Sequence, residues 1–533
     1  MLSDALTSLA IVVVQNLPLG AREHLPLVAV GIASVLTLIF WRIWRFTIVP
    51  FLEPDDPREL PYWIPCHGGA FFRNSNALLT RARVFFNNTD PFALTIANSV
   101  IYVITKPEDV AEAYRNTATL SFNEFVQAMM RACGNSEFCV QAMYTPLPKD
   151  KDGFPNPHGK PLATLARHMH MNQLYPGDHL DFLEHQFMAW FDPRLTSDGL
   201  REECPYAVTA TSPSNGIVLP LMEWCSDYFT RAGQRAYFGP AMDAIDPTLP
   251  ATFIVFDELS WQVLYQYPDF LATEMKSARD TIQRALKKYI QIPQRERNGD
   301  AWFTKAMENE MRALGINEDD IATMLVTIYW GINTNTRKAA FWLLTYILNN
   351  GPEYINLVRK ETLPAFQNKP IDLEYLHDHC PHLDAMWNET IRLSAYSASV
   401  RFVTSDTVIG GKILRKGNRL MIPYRPLHFD ESTFSLQYPV NEFRHERFLQ
   451  KSKNLTRSDN WRPFGGGTTM CPGRYVAKRS VLLFVAMLLQ RFNVELVTKR
   501  IPEPEEGKPV LGIMSVKEGE DVLVRVWSRE VSI

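Results

Sequence analysis

Residues 464–473 have the sequence FGGGTTMCPG, and this loop carries more chemical information than its surroundings. Its three glycines let the backbone approach a flat ligand closely, because they carry no side chain. Pro472 suits the first position of a helix, so Cys471 lies just before a helix N-terminus, where backbone N–H groups and the helix dipole favour a thiolate. The loop therefore predicts either a metal-binding thiolate beside a flat ligand or an inert thiol buried after a glycine turn.

The other cysteines set Cys471 apart. The chain has seven cysteines, an odd number, and no two of them have C-x-x-C spacing. A zinc ribbon or a redox pair is therefore disfavoured. An odd, scattered set indicates reduced thiols in a domain that faces the cytosol. We expect six inert cysteines: Cys66, Cys133, Cys139, Cys204, Cys225 and Cys380.

Further motifs lie at defined distances from this loop. Glu389-Thr390-Ile391-Arg392 forms an E-x-x-R pattern 82 residues before Cys471. That pattern alone arises about once by chance in a chain of this length, whereas the cysteine loop arises in on the order of one in a thousand such sequences. Residues 443–448 read FRHERF and include Arg447, and Arg401 follows Glu389 by twelve residues.

Together these segments resemble the cytochrome P450 family, and the resemblance extends over almost the whole chain. It implies the fold of that family, which is mainly α with a minor β part and is preceded here by an N-terminal transmembrane helix. It also implies haem as the cofactor, with Cys471 as the axial thiolate ligand of the iron. Phe464, Gly465 and Gly473 are then the haem-binding residues of the loop.

The resemblance also assigns a structural role to three charged residues. By analogy with the family, Glu389, Arg392 and Arg447 would form a buried, salt-bridged triad under the haem. An unpaired charge buried in such a place destabilises the fold, so we expect the loss of any one of the three residues to disrupt the other two. His445 stands where the family has a proline in the segment around Arg447.

Two details resemble the branch of steroid 7α-hydroxylases and prostacyclin synthase, and fungal biosynthetic members of similar pattern. The E-x-x-R helix continues with Leu393-Ser394, and Arg401 follows it. By resemblance, Arg401 would hold a haem propionate, since a guanidinium fork matches a carboxylate. The alternative is an ordinary strand arginine. Thr469 stands where most members have Arg or His, so one propionate contact is lost or replaced.

A long helical pattern runs from residue 318 to about residue 350 and should be buried, since it is apolar on most faces. It would span roughly 45 Å. Typical family members place an acid–alcohol pair in its middle, which relays protons to oxygen. Here Thr334 aligns with the acid and Asn335 with the alcohol; a register one residue earlier gives Asn333 and Thr334. These three residues are the catalytic candidates, because amides and hydroxyls can hold an ordered water.

The N-terminal region predicts a membrane anchor. Residues 25–41, LPLVAVGIASVLTLIFW, are 17 residues without a charge, near the lower limit of the roughly 17–25 that span a bilayer. Arg42 and Arg45 follow at once, which places the C-terminal side in the cytosol. A cleaved signal peptide is disfavoured, because no small-residue cleavage site follows. The expected organisation is an N-terminal segment at 1–24, the anchor at 25–41, a proline-rich linker at 42–65 and a single haem-thiolate catalytic domain at 66–533.

The composition is that of a globular protein, with 46% hydrophobic residues and a net charge of −3. The near-neutral charge argues against nucleic-acid binding. The resemblance implies a single-pass protein of the endoplasmic reticulum membrane, with its catalytic domain in the cytosol. It would use O₂ to oxidise a hydrophobic small molecule of secondary metabolism, of terpenoid/steroid, polyketide or alkaloid type. A haem-thiolate isomerase or peroxide-rearranging enzyme of the prostacyclin synthase type is the alternative, followed by a haem-binding protein without catalysis.

The electron source is expected to be a separate protein, because the chain shows no motif for a flavin or nicotinamide domain. The resemblance implies NADPH–cytochrome P450 reductase, with cytochrome b5 as an optional second donor. Arg474, Lys478 and Arg479 follow Cys471 closely. They form either part of a basic docking face for an acidic reductase or an ordinary solvated helix face.

Overall fold

The computed structural model describes residues 25–529 except 65, 97–98, 208–215, 368, 436, 451–453, 499 and 510–511. The segment expected at residues 1–24 lies outside the described residues. The described chain is mainly α-helical with a small β part, which confirms the predicted fold class. Beyond the N-terminal helix, the α-helices are Gly68–Arg73, Ser75–Phe86, Pro107–Arg115, Asn123–Cys133, Glu137–Tyr144, Leu162–Leu174, Asp178–Arg194, Ser197–Glu203, Leu221–Phe238, Pro240–Ile245, Leu249–Leu259, Trp261–Leu264, Thr273–Gln291, Trp302–Ala313, Glu318–Asn333, Thr336–Asn349, Pro352–Thr362, Leu373–Asp378, Pro381–Ser394, Arg425–His428, Glu431–Phe434 and Arg474–Arg491.

The N-terminal helix is longer than the sequence predicted. It consists of three consecutive helical pieces, Leu25–Ile43, Trp44–Ile48 and Val49–Leu52. Within it, Ala29–Leu52 is long and apolar enough to cross a membrane and is not buried against the rest of the protein. The helical region thus continues past Trp41, its expected end, and past Pro50, which was expected to lie in an extended linker. Pro50 is tolerated because it lies in the first turn of the last piece, where its missing N–H is least costly.

Three small sheets make up the β part of the described chain. The largest has the strand order Arg58–Glu59, Phe92–Ile96, Ser99–Val103, Arg419–Pro423, Ala398–Val403 and Leu120–Ser121. The second has the order Phe492–Leu496, Leu523–Ser528 and Ile217–Pro220, and the third pairs Thr407–Ile409 with Lys412–Leu414. In the largest sheet, Arg401 lies on a strand that is antiparallel to Arg419–Pro423. The strand of Arg401 therefore has a neighbouring strand on each side.

The long central helix is interrupted, where the sequence predicted a continuous one. Its halves, Glu318–Asn333 and Thr336–Asn349, are separated by Thr334 and Asn335; we call the pair the broken helix. The side chain of Asn317 caps its start by accepting from a backbone N–H of the first turn. The predicted burial is confirmed, since nearly every residue of the second half is buried.

The main core surrounds the last helix, Arg474–Arg491, which is buried from Ser480 to Gln490. This helix packs against Asp178–Arg194, against the second half of the broken helix and against Pro352–Thr362. An apolar helix buried on all sides is typical of the centre of a large domain. The loop at 464–473 leads directly into this buried helix.

Candidate functional site

The loop at 464–473 is closed on itself. The backbone N–H of Cys471 donates to the carbonyl of Phe464 at 2.9 Å. Gly465 has a φ of 78°, which glycine adopts without steric cost. The helix Arg474–Arg491 begins three residues after Cys471, two residues later than the start at Pro472 that the sequence predicted. The structure therefore presents the thiol between a closed turn and the start of a buried helix.

The thiol of Cys471 is exposed, although protein surrounds it. Burial raises its pKa, and this effect outweighs the backbone N–H groups of Gly473 and Arg474 and the charge of Arg474, which lower it. Because Cys471 is accessible to solvent while protein surrounds its thiol, the thiol borders an open space within the protein. In the protein alone the helix N-terminus does not suffice to ionise the thiol, and a bound metal cation is what would do so.

The remaining cysteines are free thiols without such exposure. Cys66 is partly exposed. The five buried cysteines are Cys133, Cys139, Cys204, Cys225 and Cys380. Burial raises the pKa of both Cys139 and Cys380 to about 12. Thiols in such surroundings are inert at neutral pH.

The glycines of the loop make room for a tyrosine as well as for a ligand. A Cβ on Gly466 would lie 2.9 to 3.2 Å from ring atoms of Tyr114, and one on Gly467 would lie 3.0 Å from the Tyr114 carbonyl. The hydroxyl of Tyr114 lies 3.3 Å from that of Tyr424. The sequence explained these glycines by the approach of a flat ligand, whereas the structure shows that Gly466 and Gly467 pack on Tyr114. The Cβ of a residue replacing Gly473 would lie 3.6 Å from the Cys471 thiol, so glycine keeps the space beside the sulfur open.

Arg401 is a buried cation whose partners are neutral. It is 5% exposed. Its guanidinium donates to Ser399 Oγ at 2.7 Å, to the Val400 carbonyl at 2.8 Å and to Thr469 Oγ1. No carboxylate pairs with it among the described residues, and burial lowers its pKa. Arg401 contacts Thr469, which stands two residues before Cys471. A buried guanidinium without an acid partner at this place fits the carboxylate of a ligand. Its hydrogen bond to Thr469 brings this guanidinium next to the position where the sequence lacks the usual Arg or His.

The structure brings Glu389, Arg392 and Arg447 together. Arg392 donates to both carboxylate oxygens of Glu389, at 2.7 and 2.8 Å, and Arg447 Nε donates to Oε1 at 3.1 Å. Glu389 and Arg392 are fully buried, and Arg447 is 3% exposed. One carboxylate thus serves two guanidinium groups. The second positive charge is solvated by backbone carbonyls, which Arg447 contacts at Phe434, Tyr438, Pro439 and Glu442.

A buried histidine connects this triad to the cysteine loop. The His428 carbonyl accepts from Arg392 at 3.0 Å, and its Nε2 accepts from the backbone N–H of Arg462 at 3.0 Å. The Arg462 carbonyl in turn accepts from the N–H of Gly465, also at 3.0 Å. Burial, with the charge of Arg392, lowers the pKa of His428 to about 3, so the ring stays neutral and remains an acceptor. The sequence carried no signal for His428, because only the fold brings residue 428 to residue 462.

At the break of the broken helix, the three catalytic candidates point in different directions. Asn333 is fully buried; its Nδ2 donates to the Tyr329 carbonyl at 3.0 Å, and its Oδ1 packs against Gly233. Thr334 donates to Asp257, a residue of another helix. Asn335 is only partly buried, and its Oδ1 accepts from the backbone N–H of Ile513 at 2.9 Å. Its Nδ2 makes no hydrogen bond within the described part of the chain.

An open space lies one helical turn before Asn335. Gly331 is exposed in the middle of a buried helix, and a Cβ added to it would meet no atom within 4 Å. Thr334 and Asn335 keep right-handed helical backbone angles through the break, so Gly331 and Asn335, four residues apart, lie on nearly the same face. Of the three candidates, Asn335 is therefore the one on the open face, whereas Asn333 and Thr334 are occupied by protein.

The basic residues after Cys471 do not form a free positive face. Lys478 pairs with Asp384. Arg479 lies 2.8 Å from Asp181 and 3.1 Å from the buried Glu184. Arg474 donates to the Cys471 carbonyl at 2.9 Å and stacks on two tyrosine rings. Lys478 and Arg479 are thus neutralised by acids of other helices, which favours the interpretation of a structural helix face over a docking face.

Known proteins resemble this chain over most of its length. A family model described as Cytochrome P450 matches residues 216–524. Cytochrome P450 monooxygenase poxD of Penicillium oxalicum is 26% identical over 481 residues, which cover 87% of this chain and 92% of that protein. A 7-alpha-hydroxycholest-4-en-3-one 12-alpha-hydroxylase of Oryctolagus cuniculus is 25% identical over 339 residues, 57% of this chain and 65% of that protein. Prostacyclin synthase of Rattus norvegicus is 30% identical over 252 residues, 43% of this chain and 49% of that protein.

Proposed function

The chain belongs to the cytochrome P450 family, and from this premise we propose that it is a membrane-anchored monooxygenase that oxidises a hydrophobic small molecule. The observation that carries this proposal is the Cys471 thiol, which is exposed within the protein while the other cysteines are buried or partly exposed. The match to fungal monooxygenases over most of both chains supports the reaction class.

Haem is the cofactor of the family, and the residues of this chain fit it. Cys471 offers a soft sulfur ligand to the iron, and Arg401 offers a buried charge without an acid partner to a propionate. Phe464 and Gly465 border the closed loop, and Gly473 leaves the sulfur accessible. When bound, the haem would supply the oxygen chemistry, and the Cys471 thiolate would push electron density towards the iron, which favours O–O cleavage.

The role of the protein is to hold the site rigid and to supply protons. We assign the proton-supplying water to Asn335, because its Oδ1 is held by Ile513 and its Nδ2 is free to donate. The Glu389–Arg392–Arg447 triad is assigned a structural role, in which it fixes the loop through His428. This buried network orients the loop through its hydrogen bonds, although Nδ1 of His428 has no hydrogen-bond partner among the described residues.

The physiological context is proposed from the relatives and from the N-terminal helix. The substrate class is terpenoid/steroid, polyketide or alkaloid, as expected for biosynthetic secondary metabolism. The apolar helix Ala29–Leu52 supports a single-pass anchor, with the catalytic part on the cytosolic side of the endoplasmic reticulum. NADPH–cytochrome P450 reductase would donate the electrons, with cytochrome b5 as an optional second donor.

One observation favours a second candidate, a haem-thiolate enzyme that rearranges a peroxide substrate without external electrons. The broken helix carries no acid between Asp320 and its C-terminal end, so it lacks the usual proton donor. The similarity to prostacyclin synthase points in the same direction. We favour oxidation with O₂, because a relay through an ordered water remains workable.

The two candidates are separated by their need for electrons. The full-length protein is placed in lipid vesicles with the reductase and incubated with a panel of terpenoids and steroids. Oxidation that requires NADPH and O₂ supports the proposal. Conversion of an organic hydroperoxide without NADPH, and no NADPH-dependent product, would favour the rearranging enzyme. Haem binding with neither activity would leave a haem-binding protein; Cys471→Ala is the inactive control.

A further inference from the structure

A carboxylate from outside the broken helix ties its two halves together. Asp257, on the helix Leu249–Leu259, is 1% exposed at its side chain. Its Oδ1 accepts from Trp330 Nε1 at 3.1 Å and from Thr334 Oγ1. Its Oδ2 lies 2.5 Å from the guanidinium of Arg337 and 2.9 Å from the ammonium of Lys338. Asp257 therefore contacts one residue before the break, one in it and two after it.

This arrangement keeps Asp257 ionised. Burial alone would raise its pKa, but the charges of Lys338 and Arg337 and the hydrogen bond from Thr334 hold the pKa well below its ordinary value. Removing one partner from such a buried group is costly, because the others are left uncompensated. The sequence aligned a threonine with the family's acid, and the structure shows that an acid reaches this threonine from a different helix.

The C-terminal segment holds the opposite side of the break. The Asn335 amide accepts from Ile513, and a Cβ on Gly512 would lie 2.0 Å from Asn335 Oδ1, so the segment approaches as closely as glycine permits. Glu258 accepts from Arg337 at 2.9 Å and from Ser515 Oγ at 2.9 Å. The break is thus fixed between the helix of Asp257 and the segment around residue 513.

We propose that Asp257 is a positioning residue for oxygen activation, which fixes the break so that Asn335 stays on the open face. The inference rests on the proposed function, because it needs a reaction that consumes protons at this helix. Thr334 serves as the attachment point, and its hydroxyl is engaged by Asp257. The broken helix has no carboxylate near the break, and Asp257 supplies one from Leu249–Leu259. We call its contacts with Trp330, Thr334, Arg337 and Lys338 the clamp.

The test uses the full-length holoenzyme with reductase and NADPH, without added substrate. Thr334→Val removes one contact of the clamp and leaves every charge in place, whereas Asp257→Asn removes the charge. Both variants are expected to raise the peroxide released per NADPH about threefold. Both should also speed deuterium exchange at residues 331–340 about tenfold or more, since a charge-assisted hydrogen bond is lost. If Asp257→Asn does not fold, Thr334→Val still decides the question.

Glu308→Gln is the matched control, because it disrupts another buried ion pair, with Arg297 at 2.6 Å, away from the break. It should lower the melting temperature without changing peroxide release or exchange at 331–340. The proposal is overturned if Thr334→Val matches the unmodified protein in both measurements, or if Glu308→Gln reproduces its effects. If the substrate panel yields no NADPH-dependent product, the proposed function fails, while the exchange measurement still tests the clamp by itself.

Discussion

Replacing Arg401 by methionine separates the stability of the protein from its affinity for haem. Arg401 is 5% exposed and has only neutral partners, so its burial is not offset by an ion pair. Methionine has a similar length and no charge, and the protein without haem should therefore melt at an unchanged or higher temperature. If Arg401 holds a propionate, the same change removes a charge-assisted hydrogen bond worth about 1.5–3 kcal/mol. Haem affinity should then fall roughly 10- to 150-fold.

The assay measures both properties on the same variant. Haem loss is followed by its transfer to an excess of apomyoglobin, and stability is followed by thermal unfolding of the haem-free protein. Arg419→Met is the matched control, because Arg419 lies on the neighbouring strand and burial also lowers its pKa. Its guanidinium stacks on the Phe402 ring at 5.0 Å and does not contact the loop. The control should leave haem transfer unchanged.

Two results would contradict the assignment of Arg401 to a haem propionate. The first is an Arg401→Met protein that keeps its haem as firmly as the unmodified protein. The second is a haem-free variant that is strongly destabilised, since this would mean that the neutral partners compensate the buried charge. Either result would make Arg401 an ordinary strand arginine.

Three further changes test the scaffold of the site. Glu389→Gln should destabilise the protein by roughly 3–5 kcal/mol in urea unfolding, since it leaves two buried guanidinium groups without their carboxylate; a loss below about 1 kcal/mol would refute the triad. His428 has a folded pKa of about 3, below its unfolded value of 6.5, so its contribution is present above pH 6.5 and is lost as the pH falls towards 3. Between pH 6.5 and 4.5 the protein should lose about 2 kcal/mol more stability than His428→Asn, and parallel urea curves would contradict this. Gly466→Ala should impair haem retention by pressing on Tyr114, and Tyr114→Ala should restore it; a neutral Gly466→Ala would mean that the ring can move.

The parts of the site that the sequence predicted are those carried by strict local motifs. The loop around Cys471 and the E-x-x-R helix need particular residues at fixed spacings, so their geometry follows once they are recognised. The resemblance to the family also implied the contact of Glu389 with Arg447, although 58 residues separate them. The cost of a buried charge without its partner explains why the three charges of the triad occur together.

The parts that the sequence did not predict depend on which elements the fold brings together. Asp257 reaches Thr334 across 77 residues, and no pattern around either residue indicates the other. For Arg479 the sequence left a docking face and a solvated helix face open, and only the fold shows Asp181, 298 residues away in the chain, beside it. The prediction of a continuous helix was also wrong at Thr334 and Asn335. The polarity of these residues cannot show whether their hydrogen-bond partners lie within the helix or outside it.

The most direct test of Cys471 as the iron ligand is the carbon monoxide difference spectrum of the reduced protein. We expect the band of a thiolate-ligated haem for the unmodified protein and for Cys66→Ser, whose cysteine is partly exposed. Cys471→Ala should lose this band. A thiolate-type band that persists in Cys471→Ala, or a haem-loaded unmodified protein that never shows one, would contradict the assignment of Cys471 as the iron ligand.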